Sequence, residues 1–379
     1  MKKVIVLGAG MVGSVIALDL VRDARFEVAI ADISESALEK IGKDKRVRAI
    51  VADLSDVDTV KKLVDDFDMV CGAMPSKFGM QTMLSVIESG KDFCDISFLP
   101  DDPSQLDSLA KKRGVCVVYD CGVAPGMSHM LVGYADSQCD ELEDVKIYVG
   151  GIPRQINRPW FYKAAFAPSD VIEEYTRPVF LVENGEVVEK KALSDREMLE
   201  FPGAGRLEAF NTDGLRSLVK TIKVPNMIEK TLRYPGHIDL IMVLKDTGFF
   251  SKEPVKTDGN MIIPLELTEK LLFPFWKYKE NEEDMTVMRV VVEGTRAGER
   301  LIFSWDMLDY YDRLTKTSSM ARTTAFPCAI VARMIMSGEY RQEGVNPPES
   351  LGRVDGLLDK VLHELEGRGV GYLARVEGE

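Results

Sequence analysis

Three glycines and one aspartate near the N-terminus have the spacing of a dinucleotide-binding site. Gly8, Gly10 and Gly13 follow a short apolar run, and Asp32 ends the next apolar run. In such a site the first glycine makes a tight turn, the second lets the backbone approach a pyrophosphate, and the third lets a helix pack closely on a strand. The helix predicted to begin at about Met11 directs its N–H groups and the positive end of its dipole at the phosphates.

The residue type at position 32 also favours one cofactor over another. A carboxylate about 20 residues after the glycines accepts hydrogen bonds from a ribose diol and repels a 2′-phosphate. The residues that follow, Ile33 to Ser36, contain no arginine or lysine that would hold such a phosphate. The sequence therefore predicts NAD rather than NADP as the cofactor.

Proton transfer and substrate binding need other side chains, and the candidates are few. The chain has three histidines. His237 follows a Pro-Gly turn, and because an imidazole titrates near neutral pH we predict it as the general acid or base. Asp95, at the end of a predicted strand, is the second catalytic candidate, although capping of the following helix explains it equally well. His129 fits a structural role better than catalysis, and charged residues flank His363 in a surface helix.

Three further residues are candidates for substrate binding. Arg216 carries a guanidinium that binds a carboxylate in a bidentate manner. Asp213, three residues earlier, is placed to hold an ammonium, and Tyr162 is a third candidate. An ordinary surface position is an equally good explanation for Arg216. Asp120 and Lys163 are weaker candidates of the same kind.

The elements that position these residues follow from the alternation of strand and helix signals over residues 1 to about 120. This alternation predicts an α/β fold, a Rossmann-type doubly wound parallel sheet with right-handed crossovers. Ligands of such sheets bind at the carboxyl ends of the strands, near the switch point in strand order. The predicted cofactor contacts are therefore Gly8, Gly10, Met11, Val12, Gly13, Asp32, Asp53, Leu54, Ala73, Met74, Pro75, Gly122 and Val123.

The pattern changes after about residue 140. An Asn-Gly pair at Asn184 and Gly185 lies between two apolar runs and predicts a β-hairpin. Further alternating runs predict an antiparallel or mixed sheet with one helix-covered face, an inserted α+β substrate and dimerisation domain. Helical patterns return at 324–336 and 354–366, and we expect them to pack on the first domain. The predicted domains are thus 1–125 with 320–379, and 126–319.

Composition excludes several classes of protein. The chain has 379 residues, 29% charged residues and a net charge of −13, which argues against nucleic-acid binding. No apolar run approaches the roughly 18 residues of a membrane span, and the N-terminal apolar run is too short for a signal peptide. The six cysteines have no metal-binding spacing and no histidine cluster. We therefore expect a cytoplasmic protein without a metal site.

Seven sequence blocks follow one another over nearly the whole chain: residues 8–10, 122–126, 148–153, 174–178, 208–216, 231–237 and 320–324. Together they resemble the saccharopine dehydrogenase family. The resemblance implies a Rossmann domain completed by C-terminal helices, an inserted domain, a homodimer, and NAD-dependent oxidative deamination of the ε-amine of L-lysine with release of ammonia. Ala124 departs from the family's saccharopine reductases, which tend to have aspartate there, and this favours a smaller amino acid.

Two other functions remain open on the sequence. One is a related NAD(P)-dependent C–N reductase of the saccharopine or carboxynorspermidine type, which joins an amine to a carbonyl compound. The other is a non-catalytic NAD-sensing protein, which would bind NAD without amino acid turnover. A pocket wall without titratable groups would favour this last function.

Overall fold

The computed structural model describes residues 1–164, 168–280 and 282–378. The chain folds into two compact units, each containing two segments of the sequence. The first unit comprises Met1–Ser137 and Ala321–Val370, and the second comprises Gln138–Met320 and Gly371–Glu379. The boundaries predicted from the sequence differ from these units at three places. Residues 126–137 belong to the first unit, and Met320 and residues 371–379 belong to the second.

The strands are, in chain order, β1 Lys2–Leu7, β2 Phe26–Asp32, β3 Val47–Val51, β4 Met69–Gly72, β5 Asp92–Asp95, β6 Cys116–Val118, β7 Glu141–Pro153, β8 Val179–Glu183, β9 Glu186–Lys190, β10 Glu197–Phe201, β11 Gly205–Asn211, β12 Asn226–Arg233, β13 Val255–Thr257, β14 Asn260–Ile262, β15 Asp284–Arg296, β16 Glu299–Tyr310, β17 Gly344–Asn346 and β18 Tyr372–Gly378.

The α-helices are α1 Met11–Leu20, α2 Glu35–Ile41, α3 Val57–Val64, α4 Ser76–Glu88, α5 Asp107–Arg113, α6 Met127–Gln138, α7 Pro168–Thr176, α8 Leu218–Thr221, α9 His237–Asp246, α10 Pro264–Trp276, α11 Ser319–Ser337, α12 Pro348–Gly352 and α13 Leu357–Glu366. A short 3₁₀ helix, Pro103–Leu106, precedes α5.

The first unit is built on a parallel sheet with the strand order β17-β6-β5-β4-β1-β2-β3. Every neighbouring pair in it is parallel, as predicted for a doubly wound fold. The order reverses between β1 and β4, and this switch point opens a crevice at the carboxyl ends of the strands. Apolar side chains of the strands and of α3, α4 and α5 form the core on one face of the sheet.

Local sequence explains where several helices of this unit begin and end. The hydroxyl of Ser34 accepts the N–H of Ala37 at the start of α2, and the carboxylate of Asp56 accepts the N–H of Thr59 at the start of α3. Gly114 ends α5 in the left-handed conformation, with φ +67°. These stops and starts set the lengths of the crossovers that return the chain to the sheet.

The second unit is built on a mixed sheet with the main order β10-β11-β12-β7-β15-β16-β18, to which β8 and β9 add a hairpin. β12 and β7 are parallel, and the other pairs of the main order are antiparallel. The predicted hairpin is confirmed, because Glu183 pairs with Glu186 across Asn184 and Gly185. A second core cluster lies in this unit and includes Tyr148, Leu207 and Leu232. The α/β fold class predicted from the sequence is confirmed.

Two strands near the C-terminus were not predicted. β17 pairs with β6 and completes the parallel sheet of the first unit, and β18 pairs with β16 at an edge of the mixed sheet. Neither segment has a regular apolar alternation that would predict a strand. Each becomes a strand because it pairs with a partner that is distant in the sequence. None of the described helices is long and apolar enough to cross a membrane. The described residues also contain no cluster of three or more potential metal ligands.

Candidate functional site

The glycine-rich loop lies between β1 and α1 at the switch point of the parallel sheet. Gly8 has φ +103°, and a Cβ there would lie 2.4 Å from the carbonyl oxygen of Ala73 at the end of β4. A Cβ at Gly13 would lie 2.0 Å from the carbonyl oxygen of Gly8, so α1 packs directly on the turn. A Cβ at Gly10 would meet no atom within 4 Å. The loop is thus closed against the protein at two glycines and open at the third.

Asp32 is tied to this loop from the end of β2. Its Oδ2 accepts the N–H of Ala9 at 2.7 Å, and its Oδ1 accepts the N–H of Ser34 at 2.8 Å. Each carboxylate oxygen retains a further lone pair for a ligand hydroxyl. The neighbouring Ile33 is 66% exposed and carries no charge. The carboxylate therefore lies where it can accept hydrogen bonds from a ribose. Its neighbour Ile33 has no positive charge that could bind a 2′-phosphate.

The other predicted cofactor contacts also lie in the first unit, at the carboxyl ends of its strands. Ala73, Met74 and Pro75 follow β4, and the N–H of Ala73 donates to the carbonyl of Leu7. Asp53 and Leu54 follow β3, where Asp53 accepts hydrogen bonds from Ser55. Gly122 and Val123 belong to the buried loop between β6 and α6. Met11 and Val12 form the first turn of α1.

These features fit a dinucleotide. Gly10 leaves open space next to the N-terminus of α1, whose first turn contains no acidic residue and whose N-cap makes no side-chain hydrogen bond. N–H groups of the first turn of a helix have no partner within the helix and bind phosphate well. Asp32 supplies the acceptor for the ribose. The first unit can therefore hold an NAD-type cofactor across the ends of β1, β2 and β4.

Asp95 is the buried carboxyl group of this edge. It ends β5, is 1% exposed, and its Oδ1 accepts the hydroxyl of Ser97 at 2.8 Å. Among the described residues its Oδ2 has no hydrogen-bond partner. A Cβ at Gly72 would lie 2.2 Å from Oδ1, so this carboxyl group packs on the end of β4 next to the glycine loop. Burial raises the pKa of Asp95 to about 7 against the opposing effect of Ser97.

In the second unit, His237 is buried at the start of α9, in a directional chain of hydrogen bonds. A carbonyl oxygen only accepts, so the 2.8 Å contact of Nδ1 with the carbonyl of Trp160 requires the proton on Nδ1. Nε2 then accepts the hydroxyl of Tyr175 at 2.9 Å, and the oxygen of Tyr175 accepts Nε–H of Arg233 at 3.2 Å. Both ring nitrogens are therefore engaged within the protein.

This environment argues against the predicted role of His237 as a general base. Burial and the nearby charge of Arg233 lower the pKa of His237 to about 3. The imidazole is neutral at physiological pH and its lone pair is occupied by Tyr175. The reason lies in the tertiary structure, since the rings of Tyr162 and Trp276 pack on the histidine with centroids 4.9 and 6.2 Å away.

Arg233 is the centre of the same cluster. It is 2% exposed, and its guanidinium donates to Glu174 at 3.1 Å and lies 4.4 Å from the ring centroid of Tyr162. Tyr162, a predicted substrate ligand, is fully buried, and its hydroxyl has no hydrogen-bond partner among the described residues. Contact of Tyr162 with a ligand would require its neighbours to move. In the structure as it stands, Tyr162 packs on Arg233.

The other two predicted substrate ligands lie on the loop after β11. Arg216 has φ +51°, an uncommon conformation for a residue with a side chain. Asp213 lies close enough to Glu229 of β12 for its charge to help raise the pKa of Glu229, which burial raises first, to about 8. Glu229 accepts the hydroxyl of Thr212 at 2.7 Å. The loop is thus beside a buried carboxyl group, and both loop residues are partly exposed.

Sequence reasoning missed Arg233, Tyr175 and Glu229. Arg233 and Glu229 lie on the same face of β12, because residues four apart in a strand point to the same side. The available signal was the presence of charged residues, Glu229 and Arg233 on one face, in a strand that also carries Met227, Ile228 and Leu232. Their burial, however, depends on α7 and α9, which are brought to the sheet by other parts of the chain.

Two protein-family models match this chain, and together they include residues of both units. The family described as the saccharopine dehydrogenase NADP binding domain matches residues 4–118. The family described as the saccharopine dehydrogenase C-terminal domain matches residues 122–370, about two thirds of the chain. The first unit is therefore an NAD(P)-binding domain.

Individual relatives are distant but cover nearly the whole chain. Saccharopine dehydrogenase [NADP(+), L-glutamate-forming] of Schizosaccharomyces pombe is 23% identical over 96% of this chain and 97% of its own length. Carboxyaminopropylagmatine dehydrogenase of Synechocystis is 23% identical over 91% of this chain and 92% of its own length. The solved structure of apo saccharopine dehydrogenase (L-Glu forming) from Saccharomyces cerevisiae superimposes with a TM-score of 0.81, 19% identity and full coverage of both chains. The chain belongs to the saccharopine dehydrogenase family of NAD(P)-dependent oxidoreductases.

Proposed function

We propose that the protein is an NAD-dependent dehydrogenase that oxidises the C–N bond at the ε-carbon of L-lysine and releases ammonia. The observation that carries the proposal is Asp95, a buried carboxyl group that packs on Gly72 next to the glycine loop and has one oxygen without a hydrogen-bond partner among the described residues. A dehydrogenase acting on an amine needs a group that takes a proton close to the cofactor, and a carboxyl group with a pKa near 7 is suited to that task.

The chemistry sets what the residues must do. The ε-amine of lysine has a pKa of about 10.4, and its protonated form has no lone pair to assist departure of a hydride. Asp95, ionised above about pH 7, is the group that takes the proton of the ammonium, and because it is 1% exposed this contact requires the residues that cover it to move when substrate binds. NAD, when bound, accepts the hydride from the ε-carbon. The resulting C=N bond adds water and loses ammonia, which leaves 2-aminoadipate semialdehyde, and this product cyclises onto its own α-amine.

The α-amino and α-carboxylate groups of the substrate need a second set of contacts. Arg216 and Asp213 form a pair of opposite charges on one loop of the second unit, and both are partly exposed. The binding of the substrate carboxylate by Arg216 and of the α-ammonium by Asp213 stays a prediction from the sequence. His237 holds the backbone at Trp160 instead of transferring protons, because both of its ring nitrogens are occupied.

NAD rather than NADP is supported by the surroundings of Asp32. A 2′-phosphate would lie against a carboxylate whose negative charge is held in place by two backbone N–H groups. The exposed Ile33 next to it offers no compensating charge. The relatives named above include enzymes that use NADP, so the cofactor is itself part of the proposal.

The test measures NADH formation at 340 nm with NAD and a panel of free amino acids at mildly alkaline pH. We expect reduction with L-lysine and release of ammonia, and the same amount of protein carrying Asp95→Asn should turn over at least about 100-fold more slowly. Asp66→Asn, the same replacement at an exposed residue just after α3, is the matched control and should retain most of the activity. Absence of turnover with any amino acid, despite measurable binding of NAD, would refute the proposal.

A second candidate function is reductive joining of an amine to a carbonyl compound. It is favoured by the names of the relatives, among them saccharopine dehydrogenase and carboxyaminopropylagmatine dehydrogenase. It predicts oxidation of NADH or NADPH only when an amine and an aldehyde or 2-oxo acid are both present. Against it, Ala124 in the loop before α6 provides no carboxylate to hold a larger substrate. A purely NAD-sensing protein would show binding without turnover in either assay.

A further inference from the structure

The second unit contains a pocket of about 300 Å³ between the segment 157–163 and the end of α10 with the residues that follow it. Three cations line it, Arg158, Lys163 and Lys279, together with one carboxylate, Glu282. A volume of this size matches the lower end of pockets that bind small molecules. Its formal charge of +2 is opposite to the net charge of the chain, −13. The positive charge is thus a local property of this pocket.

The charges inside the pocket are not equivalent. Lys163 is 3% exposed, and its ammonium donates to Glu282 at 2.5 Å and to the carbonyl of Lys277 at 3.2 Å. The same oxygen of Glu282 accepts the backbone N–H of Lys279 at 2.6 Å. Lys163 and Glu282 therefore neutralise each other at the inner wall, and the charges of Arg158 and Lys279, both on exposed residues, remain at the mouth. The charge of Lys279 also acts on Glu282, and the four groups together leave a net charge of +2, which is complementary to a dianion.

The walls of the pocket favour a ligand that has an apolar part as well as charged groups. Trp160 and Phe275 line it, and Phe275, 60% exposed, presents an apolar ring next to the cations. An inorganic anion has no surface that would cover these rings. A short carbon chain with a carboxylate at each end would place apolar atoms on the rings and a charge at each cation.

The pocket is held in shape before any ligand arrives. The carbonyl of Trp160 accepts Nδ1–H of His237, which α9 and Tyr175 fix from behind. On the other side, the N–H of Ala164 donates to the carbonyl of Trp276 at 2.9 Å and joins the two segments. Rigid walls reduce the entropy lost on binding, which favours affinity for a small ligand.

We propose that this pocket binds a small aliphatic dicarboxylate, with Arg158 and Lys279 as the carboxylate anchors and Trp160 and Phe275 as the apolar wall. L-Lysine carries a net positive charge at neutral pH and does not match this site. The ligand is accordingly distinct from the substrate of the proposed lysine oxidation. It acts as an effector of that reaction, and this role, unlike the binding itself, rests on the proposed function.

Calorimetric titration of the full chain with glutarate, in the absence of NAD and amino acid, tests the proposal. We expect glutarate to bind at least tenfold more tightly than butyrate, which has one carboxylate, and than inorganic phosphate, which has no carbon chain. Arg158→Gln and Lys279→Gln should each weaken glutarate binding at least tenfold. Lys256→Gln, on the exposed strand β13, is the matched control and should bind as the wild type does.

A variant that is expected to bind glutarate more tightly distinguishes a binding effect from a folding defect. Glu282→Gln keeps an oxygen that can accept from Lys163 and Lys279 but removes the only acidic charge lining the described pocket, so glutarate should bind several-fold more tightly. A folding defect would not tighten binding. Equal affinity for glutarate, butyrate and phosphate, or no binding at millimolar glutarate, would overturn the proposal. Because no NAD or amino acid is present, this result is independent of whether lysine is oxidised.

Discussion

Single alanine substitutions at Gly10 and Gly13 separate cofactor binding from folding. Both positions belong to the same loop and both receive the same methyl group. At Gly13 that Cβ would lie 2.0 Å from the carbonyl oxygen of Gly8 and 3.1 Å from the Cβ of Ala73. At Gly10 it would meet no protein atom within 4 Å, and the backbone there, with φ −66° and ψ −172°, accepts any residue.

The expected magnitudes follow from these distances. Real Cβ contacts are essentially never below 3.0 Å, so Gly13→Ala forces a backbone displacement of about 1 Å. Overpacking of this kind costs about 1–3 kcal/mol, and the better helix propensity of alanine returns at most about 1 kcal/mol. We expect Gly13→Ala to lower the free energy of unfolding by about 2 kcal/mol. Gly10→Ala, at the N-cap of α1, should lower it by less than about 1 kcal/mol.

Binding of NAD should be weakened more by Gly10→Ala than by Gly13→Ala. If the pyrophosphate approaches the backbone at Gly10, the new methyl group occupies its place, and the Kd of NAD should rise at least roughly tenfold, equivalent to about 1.4 kcal/mol. Urea unfolding of the protein without cofactor measures the first quantity, and calorimetric titration with NAD measures the second. A Gly10→Ala protein that binds NAD as tightly as the wild type would refute the placement of the cofactor. A Gly13→Ala protein with an unchanged urea midpoint would refute the packing argument.

Three further predictions concern titratable residues. His237→Gln should leave the pH profile of kcat/KM unchanged above pH 6, because the pKa of His237 is lowered to about 3 and the ring is already neutral there; urea unfolding should show a loss of about 1–3 kcal/mol from its broken buried hydrogen bonds. Asp95→Asn should remove an ionisation near pH 7 from the kcat/KM profile. In the wild type the free energy of unfolding should fall between about pH 4 and 7, because a carboxyl group with a raised pKa binds its proton more tightly in the native state and loses it as the pH rises through 7. Asp95→Asn should remove this fall. An unchanged pH dependence of unfolding would contradict the burial of the Asp95 charge. Asp32→Ala removes the acceptor of the Ala9 and Ser34 N–H groups and the charge that repels a 2′-phosphate, so the Kd of NAD should rise while the ratio of NADP to NAD affinity increases, and titration with both cofactors will show whether it does.

Much of the first unit was predictable because its signals are local. The strands and helices up to residue 118 each contain their own periodicity, and caps such as Ser34 and Asp56 lie within three residues of the N–H groups they accept. The glycine spacing specifies a turn geometry directly, since a side chain at Gly8 or Gly13 would collide with nearby backbone. The parallel order of the sheet then follows from the strand-helix alternation.

The candidate site in the second unit was less predictable because burial decides its chemistry. His237 was a reasonable base by residue type, and its position after Pro235 and Gly236 gave no indication of its environment. Tyr175 and Trp160, far from it in the sequence, occupy both ring nitrogens. Asp95 shows the converse case, since only the close packing of Gly72 and the loss of water raise its pKa.

The sequence by itself determined the fold class, the hairpin at Asn184 and Gly185, and the loop and carboxylate arranged for a dinucleotide. These depend on periodicity, turn residues and short-range steric conflict, which are properties of neighbouring residues. The tertiary structure alone decided that β17 completes the parallel sheet, that β18 joins the other sheet, and which titratable groups are free to act. Strand pairing and desolvation depend on residues that are distant in the chain. The pattern of the sequence does not show which of these residues come into contact.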